Sequence, residues 1–301
     1  MSDYKLSQLD ELEAESIHII REAVAESENP VLLSSLGKDS SVLLHLASKA
    51  FAPGDIPFPL LHVDTGFLFK EMIEFRDYIE DEYDVEVLVQ QNTEDRAQQL
   101  EAEDAHSEEY IYLKKTKPLL NALEKHEFDC AFGGARRDEE KSRAKERIFS
   151  IRSEHGVWDP KDQRPELWHL YNAKLADQQN MRVFPLSNWT ELDVWQYIKR
   201  EQLKVVPLYY AKERKVVERD GMILSVDEFV EPKQEEQVKK EMVRYRTLGC
   251  SPSTGAVYSD AETVEEVIQE LKQSNKSERS NRAIDDNSES AMEDKKKEGY
   301  F

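Results

Sequence analysis

The run Ser35-Leu36-Gly37-Lys38-Asp39-Ser40-Ser41 constrains this chain more than any other stretch. It stands between a short apolar run, Val31-Leu32-Leu33, and a segment whose apolar residues Val42, Leu43, Leu44, Leu46 and Ala47 suit a helix. A strand that turns straight into a helix aims the first helical N–H groups, and the positive end of the helix dipole, at whatever lies above the turn. An anion fits there. Gly37 permits close backbone approach, Lys38 adds positive charge, and the hydroxyls of Ser35, Ser40 and Ser41 add donors. An ordinary helix start, capped by Asp39 or Ser40, has the same local pattern. The run is not a Walker A loop, because Leu32 stands where that motif needs its first glycine and Asp39 where it needs Ser or Thr.

The strand–loop–helix unit recurs. Pro59-Leu60-Leu61-His62-Val63 runs into Asp64-Thr65-Gly66, a helix is predicted over about 67–82, and Val85 to Val89 reads as a strand. Phe128 to Phe132 runs into Gly133-Gly134. The alternation predicts an α/β chain with a mainly parallel sheet flanked by helices. Ligands in such sheets lie beyond the carboxyl ends of the strands, where the loops at 34–41, 64–66 and 133–138 fall. An amphipathic helix is predicted over 5–27, from Leu9, Leu12, Ile17, Ile20 and Val24, ending at Asn29-Pro30. Residues 92–109 read as a flexible excursion or a short exposed helix. Residues 150–182 read as a long irregular loop packed by Trp158 and Trp168, and 227–241 as a solvated loop. The polar stretch 272–301 is expected to be disordered or to fold against a partner. The expected division is an α/β domain over 1–225 and a partner-contacting C-terminal extension over 226–301.

Charge narrows the function. Asp and Glu number 62 against 41 Lys and Arg, a formal net charge of −21. Such a surface repels a polyanion, so nucleic acid is not an expected partner. No run approaches ~18 apolar residues, and the N-terminus is polar and acidic, so a chain that works in the cytoplasm, away from membranes, is expected. Two cysteines, Cys130 and Cys250, are too few for a disulfide scaffold or a four-thiolate metal site.

Gly133-Gly134 followed by Arg136 and Arg137 suits an oxyanion or phosphate at a strand end, since arginine makes planar, charge-assisted contacts to such groups. The charged residues beyond, Asp138 to Arg147, fit a solvated helix with i,i+4 ion pairs. Asp64 serves either a turn or a ligand, and His62 suits a core position. Cys250, near Arg244 and Arg246, reads as a packed cysteine, and either arginine is a candidate to reach an anion. Trp189 and Trp195 read as core.

These motifs resemble a known family. The loop is similar to the SxGxDS pyrophosphate loop of the ATP pyrophosphatase-type, adenine nucleotide α-hydrolase-like α/β fold. Around it, LEAESIHIIRE (12–22), SLGKDSSVLLHLA (35–47), FPLLHVDTG (58–66), FGGARRDEEKSRAKERI (132–148), WDPKDQRPELW (158–168), VFPLSNWTELDVWQYI (183–198), MVRYRTLGC (242–250) and GYF (299–301) resemble the small, ATP-using subunit of heterodimeric bacterial sulfate adenylyltransferase. The stretches span the chain nearly end to end. The resemblance implies a nucleotidyltransferase that turns ATP and sulfate into adenosine 5′-phosphosulfate and pyrophosphate, the first step of sulfate assimilation towards sulfide and cysteine. It implies Mg²⁺ and a large GTPase subunit that uses GTP to drive the reaction. It assigns Ser35, Gly37, Lys38, Asp39, Ser40 and Ser41 to the pyrophosphate, with Asp39 aligning the loop or a Mg²⁺. Asp64, Thr65 and Gly66 then lie near the adenosine, and Gly134, Arg136 and Arg137 near the α-phosphate or sulfate. The family has a large aromatic after RTLGC, where this chain has Ser251. Two other readings are a same-fold reductase, which attacks with a cysteine near its C-terminus, and a non-catalytic subunit that regulates a GTPase. Here the last cysteine is Cys250 and no ECG tripeptide exists.

Overall fold

The structure, a computed structural model, describes residues 6–140, 143–153 and 156–273. The expectation for 272–301 falls almost wholly outside them. The apolar runs become strands Pro30–Leu33 (β1), Leu60–Val63 (β2), Val87–Gln90 (β3) and Cys130–Phe132 (β4). Phe149–Arg152 (β5) and Asn180–Val183 (β6) join them in a six-stranded sheet of order β3-β2-β1-β4-β6-β5. Every pair is parallel except β5 with β6 at one edge.

Strand side chains alternate between faces, and the two faces have different covers. Leu32, Leu60 and Phe132 point into the main core, shared with Gln8–Glu26 (α1) and Lys38–Phe51 (α2). Lys70–Tyr83 (α3) adds Met72, Phe75 and Ile79 to that core. Val31, Leu61 and Ala131 point the other way. They meet Leu119, Ala122 and Leu123 of Lys117–Lys125 (α6), which follows the short helices Asp95–Gln98 (α4) and Glu108–Ile111 (α5). Glu191–Glu201 (α7) places Trp195 and Ile198 in the main core, with Trp189 just before it, as the sequence predicts. Val264–Gln273 (α8) packs on α7. Burying a leucine- or valine-sized side chain stabilises by about 1.5–3 kcal/mol, so these interleaved rows hold the strand ends in fixed relation. Reciprocal side-chain caps start two helices, Ser7 with Asp10 at α1 and Thr190 with Asp193 at α7.

A second sheet stands apart from these expectations. Lys212–Arg219 (β7), Met222–Ser225 (β8), Lys239–Arg244 (β9) and Val257–Tyr258 (β10) form an antiparallel sheet of order β10-β9-β7-β8. Asp220-Gly221 joins β7 to β8 with both residues at positive φ, the tight turn that suits hairpin twist. Residue 225 ends β8, so a boundary at 225/226 falls inside this sheet. Val216, Val243 and Tyr245 also extend the main core into it.

Three further local expectations change. Residues 92–109, expected as a flexible excursion or a short exposed helix, carry the short helix α4, and their Ala97, Leu100 and Ala105 are buried together with Tyr110 and Cys250. The stretch 150–182 carries β5 and β6 at its ends, and only one of its tryptophans is packed, Trp158 being buried and Trp168 84% exposed. The described residues of 138–147 form a turn and a short 3₁₀ segment, Arg143–Lys145, rather than a solvated helix, and Arg143 and Glu146 are buried. Burial explains the changes, because apolar residues of the first two segments pack into the cores beside the sheet. Among the described residues, no helix is long and apolar enough to cross a membrane.

Candidate functional site

A cavity of about 260 Å³ opens above the carboxyl ends of β1, β2 and β4. Gly37, Lys38, Asp39 and Ser40 form one wall, Thr65 and Leu68 another, and Gly134 and Ala135 a third. The three loops singled out in the sequence therefore meet at one place.

The loop after β1 turns through Leu36, a non-glycine residue at φ 59 whose side chain is buried in the main core. Such a backbone costs of order 1–3 kcal/mol, here offset by burial of the leucine. The turn delivers the chain to α2, whose N-cap is Gly37 with no side-chain cap. Neither Asp39 nor Ser40 caps the helix. The hydroxyls of Ser40 and Ser41 both donate to the Gly37 carbonyl, at 2.9 Å each, and so brace the turn. Ser35 is exposed and lines the cavity. The Lys38 backbone N–H donates to the Tyr209 hydroxyl at 2.9 Å, a partner 171 residues away. Tyr209→Phe strands that buried N–H at a cost of about 1–3 kcal/mol, so urea denaturation of the variant should show a lower midpoint with an unchanged slope.

Lys38 is 1% exposed, with its ammonium 3.2 Å from Asp39 Oδ2 and 3.4 Å from the Arg246 carbonyl. Arg136 is also 1% exposed and donates from Nε to Asp39 Oδ1 at 2.7 Å. Both Asp39 oxygens are thus engaged by cations. The close approach of β4's exit to α2 depends on Gly134. A Cβ there would sit 3.1 Å from Asp39 backbone carbon and Cβ, and 3.2 Å from Ser40 N.

The arginines lie behind the wall. Arg136 holds Asp39, and Arg137 donates to Asn188 Oδ1 at 2.5 Å and stands 4.0 Å from Glu166. Neither lines the cavity, and neither do Asp64, Gly66 or Ser41. Asp64 Oδ1 accepts from the Gly66 N–H at 2.8 Å, and Gly66, at φ 84, supplies the left-handed turn. Thr65 is buried and faces the cavity. His62 is buried and donates from Nδ1 to the Ser34 carbonyl at 2.9 Å, tying β2 to the loop. Burial holds its pKa below the ordinary histidine range, so it is neutral.

Sequence reasoning missed part of the lining. Tyr209, Lys115, Glu139, Arg143 and Thr247–Cys250 all face the cavity. The RTLGC run carried a usable signal, a glycine beside a cysteine. The Leu68–Cys250 bridge brings it to the site. Its neighbours do not come with it: Arg244 pairs with Glu270 at 2.6 Å and Arg246 with Glu191 at 2.7 Å. Cys250 is buried, with Sγ 2.8 Å from Ser253 Oγ. Cys130 lies in β4, and burial pushes its thiol pKa up.

What the arrangement offers is a cradle for an elongated anion. It has an uncapped helix start, lysine and arginine side chains on its walls, and an apolar floor of Leu33, Leu61 and Leu119. The chain is similar to known proteins. The phosphoadenosine phosphosulfate reductase domain family matches residues 29–256. Sulfate adenylyltransferase subunit 2 of Parabacteroides distasonis is 57% identical over 100% of both chains. The protein of the same name from Bacteroides fragilis is 57% identical over 99% of both. FMN adenylyltransferase of Candida glabrata, 13% identical, superposes with a TM-score of 0.51 over 93% of this chain and 91% of its own, a likeness of fold.

Proposed function

The chain belongs to the sulfate adenylyltransferase subunit 2 family, and from that premise we propose how its cavity transfers AMP from ATP to sulfate. The observation that carries the reading is the uncapped start of α2 beneath the cavity, with Gly134 pressed against it. The triphosphate lies over Gly37–Ser40, and the adenosine lies towards Thr65. A sulfate oxygen attacks the α-phosphorus and forms a new P–O bond. The bond from the α-phosphorus to the bridging oxygen breaks, and its electron pair leaves with pyrophosphate. Sulfate is already deprotonated, so no general base is needed. Catalysis comes from positioning and from donors aimed at the charge that builds on the departing oxygen.

Asp39 acts through the loop. With one oxygen on Arg136 and the other on Lys38, it sets the charge and direction of α2's first turn. That engagement does not fit a metal ligand, and no group of three or more His, Cys, Asp or Glu suited to a metal occurs among the described residues. Mg²⁺ therefore belongs to this reading as a companion of the nucleotide phosphates. Arg136 serves the loop rather than the α-phosphate, and Arg137 is set back with Asn188.

The product is a mixed phosphoric–sulfuric anhydride, so the reaction runs uphill and needs a drive. This chain has no Walker A loop. The relatives are named as a second subunit, which supports a partner, and a large GTPase subunit using GTP in the cytoplasm meets the energetic need. The contact with it falls in residues 226–301. The reductase reading is disfavoured because Cys130 is buried in β4 and the sequence has no ECG tripeptide. Pyrophosphate release from ATP is the test, measured with and without sulfate, partner and GTP. The expected result is release that requires sulfate and rises with partner and GTP. No sulfate-dependent release under any of these conditions would overturn the reading.

A further inference from the structure

Three cations line the cavity, Lys38, Arg143 and Lys115, and they differ in what they already touch. Lys38 lies 3.2 Å from Asp39. Arg143 lies 3.4 Å from Glu140 and 3.5 Å from Glu146. Lys115 makes no ion pair with any described carboxylate. Its Nζ lies 5.8 Å from the Tyr110 ring centroid. Glu139 lines the same cavity, but no described carboxylate is within ion-pair distance of Lys115, so its ammonium is open to an anion, and the apolar floor beside it strengthens the attraction.

The backbone around it is unusual. Tyr112–Thr116 is a π-helical turn between α5 and α6, closed by the Lys117 N–H donating to the Tyr112 carbonyl. Such turns are rare and concentrate at functional sites, because the inserted residue redirects the side chains beside it. Lys114 and Lys115 are separated by it. Lys114 is buried over the Phe67 ring, at 5.3 Å, while Lys115 faces the cavity.

Placement says which anion. The loop at Gly37–Ser40 begins α2, which packs on one face of the sheet. Lys115 immediately precedes α6, which packs on the other. The two therefore approach the cavity from opposite faces. In-line displacement at phosphorus puts the incoming and leaving oxygens on opposite sides. If the loop holds the departing pyrophosphate, the nucleophile arrives from Lys115's side. Resting on the reaction proposed above, we infer that Lys115 binds the sulfate dianion and orients it for attack.

The experiment is steady-state kinetics of pyrophosphate release by Lys115→Ala, Lys115→Arg and the parent chain, each with the partner subunit and GTP. Loss of one charge-assisted contact corresponds to about tenfold to a hundredfold. The expected result for Lys115→Ala is a KM for sulfate raised by that factor, a KM for ATP within twofold of the parent, and partial recovery in Lys115→Arg. A raised KM for ATP with an unchanged KM for sulfate would overturn the inference and put the lysine on the nucleotide. Unchanged constants would overturn it too. Should Lys115→Ala fold poorly by circular dichroism, Lys115→Gln and Lys115→Arg carry the same comparison. Failure of the parent chain to release pyrophosphate with sulfate would instead strike the underlying reaction.

Discussion

Gly134→Ala is expected to lower kcat/KM for pyrophosphate release by up to about tenfold, since a shift of a few tenths of an ångström falls short of the ~1 Å misplacement that costs about a hundredfold. The added methyl would sit 3.1 Å from the Asp39 backbone carbon and Cβ and 3.2 Å from Ser40 N. These are atoms of α2's first turn, mostly backbone, and cannot swing aside as a side-chain tip would. Either β4's exit or the helix start must move, and both are fixed by the sheet and its core. The far-ultraviolet circular dichroism spectrum should stay unchanged, because the shift is local. A variant with parental kcat/KM would show that the triphosphate does not sit where these two elements touch.

Asp39→Ala is expected to destabilise the fold by about 1–3 kcal/mol and to abolish measurable transfer, because it takes a carboxylate at 2.7 Å from a fully buried guanidinium. The two losses have separate causes, and a second variant separates them. Asp39→Ala combined with Arg136→Met removes the buried charge and fills its space with an apolar chain. That variant should recover part of the stability, since replacing both members of a buried pair is often near neutral, while the buried Lys38 ammonium still lacks its carboxylate. It should not recover transfer, since the carboxylate that joins Lys38 to Arg136 is absent. Denaturant midpoints and single-turnover pyrophosphate release would read the two effects. Recovery of both would mean that Asp39 serves stability alone.

The contrast between these residues shows what the sequence could and could not tell. β1, β2 and β4 were legible because each is a short apolar run bounded by a polar turn, and the glycines beyond them mark the turns. Buried parallel strands have that signature. The second sheet was not legible, because β7 reads Lys-Glu-Arg-Lys-Val-Val-Glu-Arg, with only Val216 and Val217 buried. No alternation survives in it, though Asp220-Gly221 was a hairpin signal open to reading. At the site, Gly37, Lys38, Asp39 and Gly134 could be found from their neighbours in the chain. Tyr209 and Lys115 could not. A tyrosine among apolar residues reads as core, and a lysine in a charged helix reads as surface. Their meaning depends on tertiary proximity, which no local pattern encodes. Arg136 is the opposite case: its position beside two glycines suggested a ligand contact, and its guanidinium went to Asp39.

The cavity is sewn together by contacts of great length along the chain. Lys38 reaches Tyr209 across 171 residues and the Arg246 carbonyl across 208, and Arg136 reaches Asp39 across 97. On a ribosome the loop is therefore made long before the partners that complete it. At about 5–20 residues per second, some 10–40 seconds separate synthesis of Lys38 from arrival of its last partner. During that interval the residues of β1, the turn and α2 are present without the partners that complete the pocket. A nascent chain halted before residue 209 lacks the hydroxyl that receives the Lys38 N–H, however well its first sheet has paired. A completed nucleotide cradle thus reports that synthesis has passed Arg246.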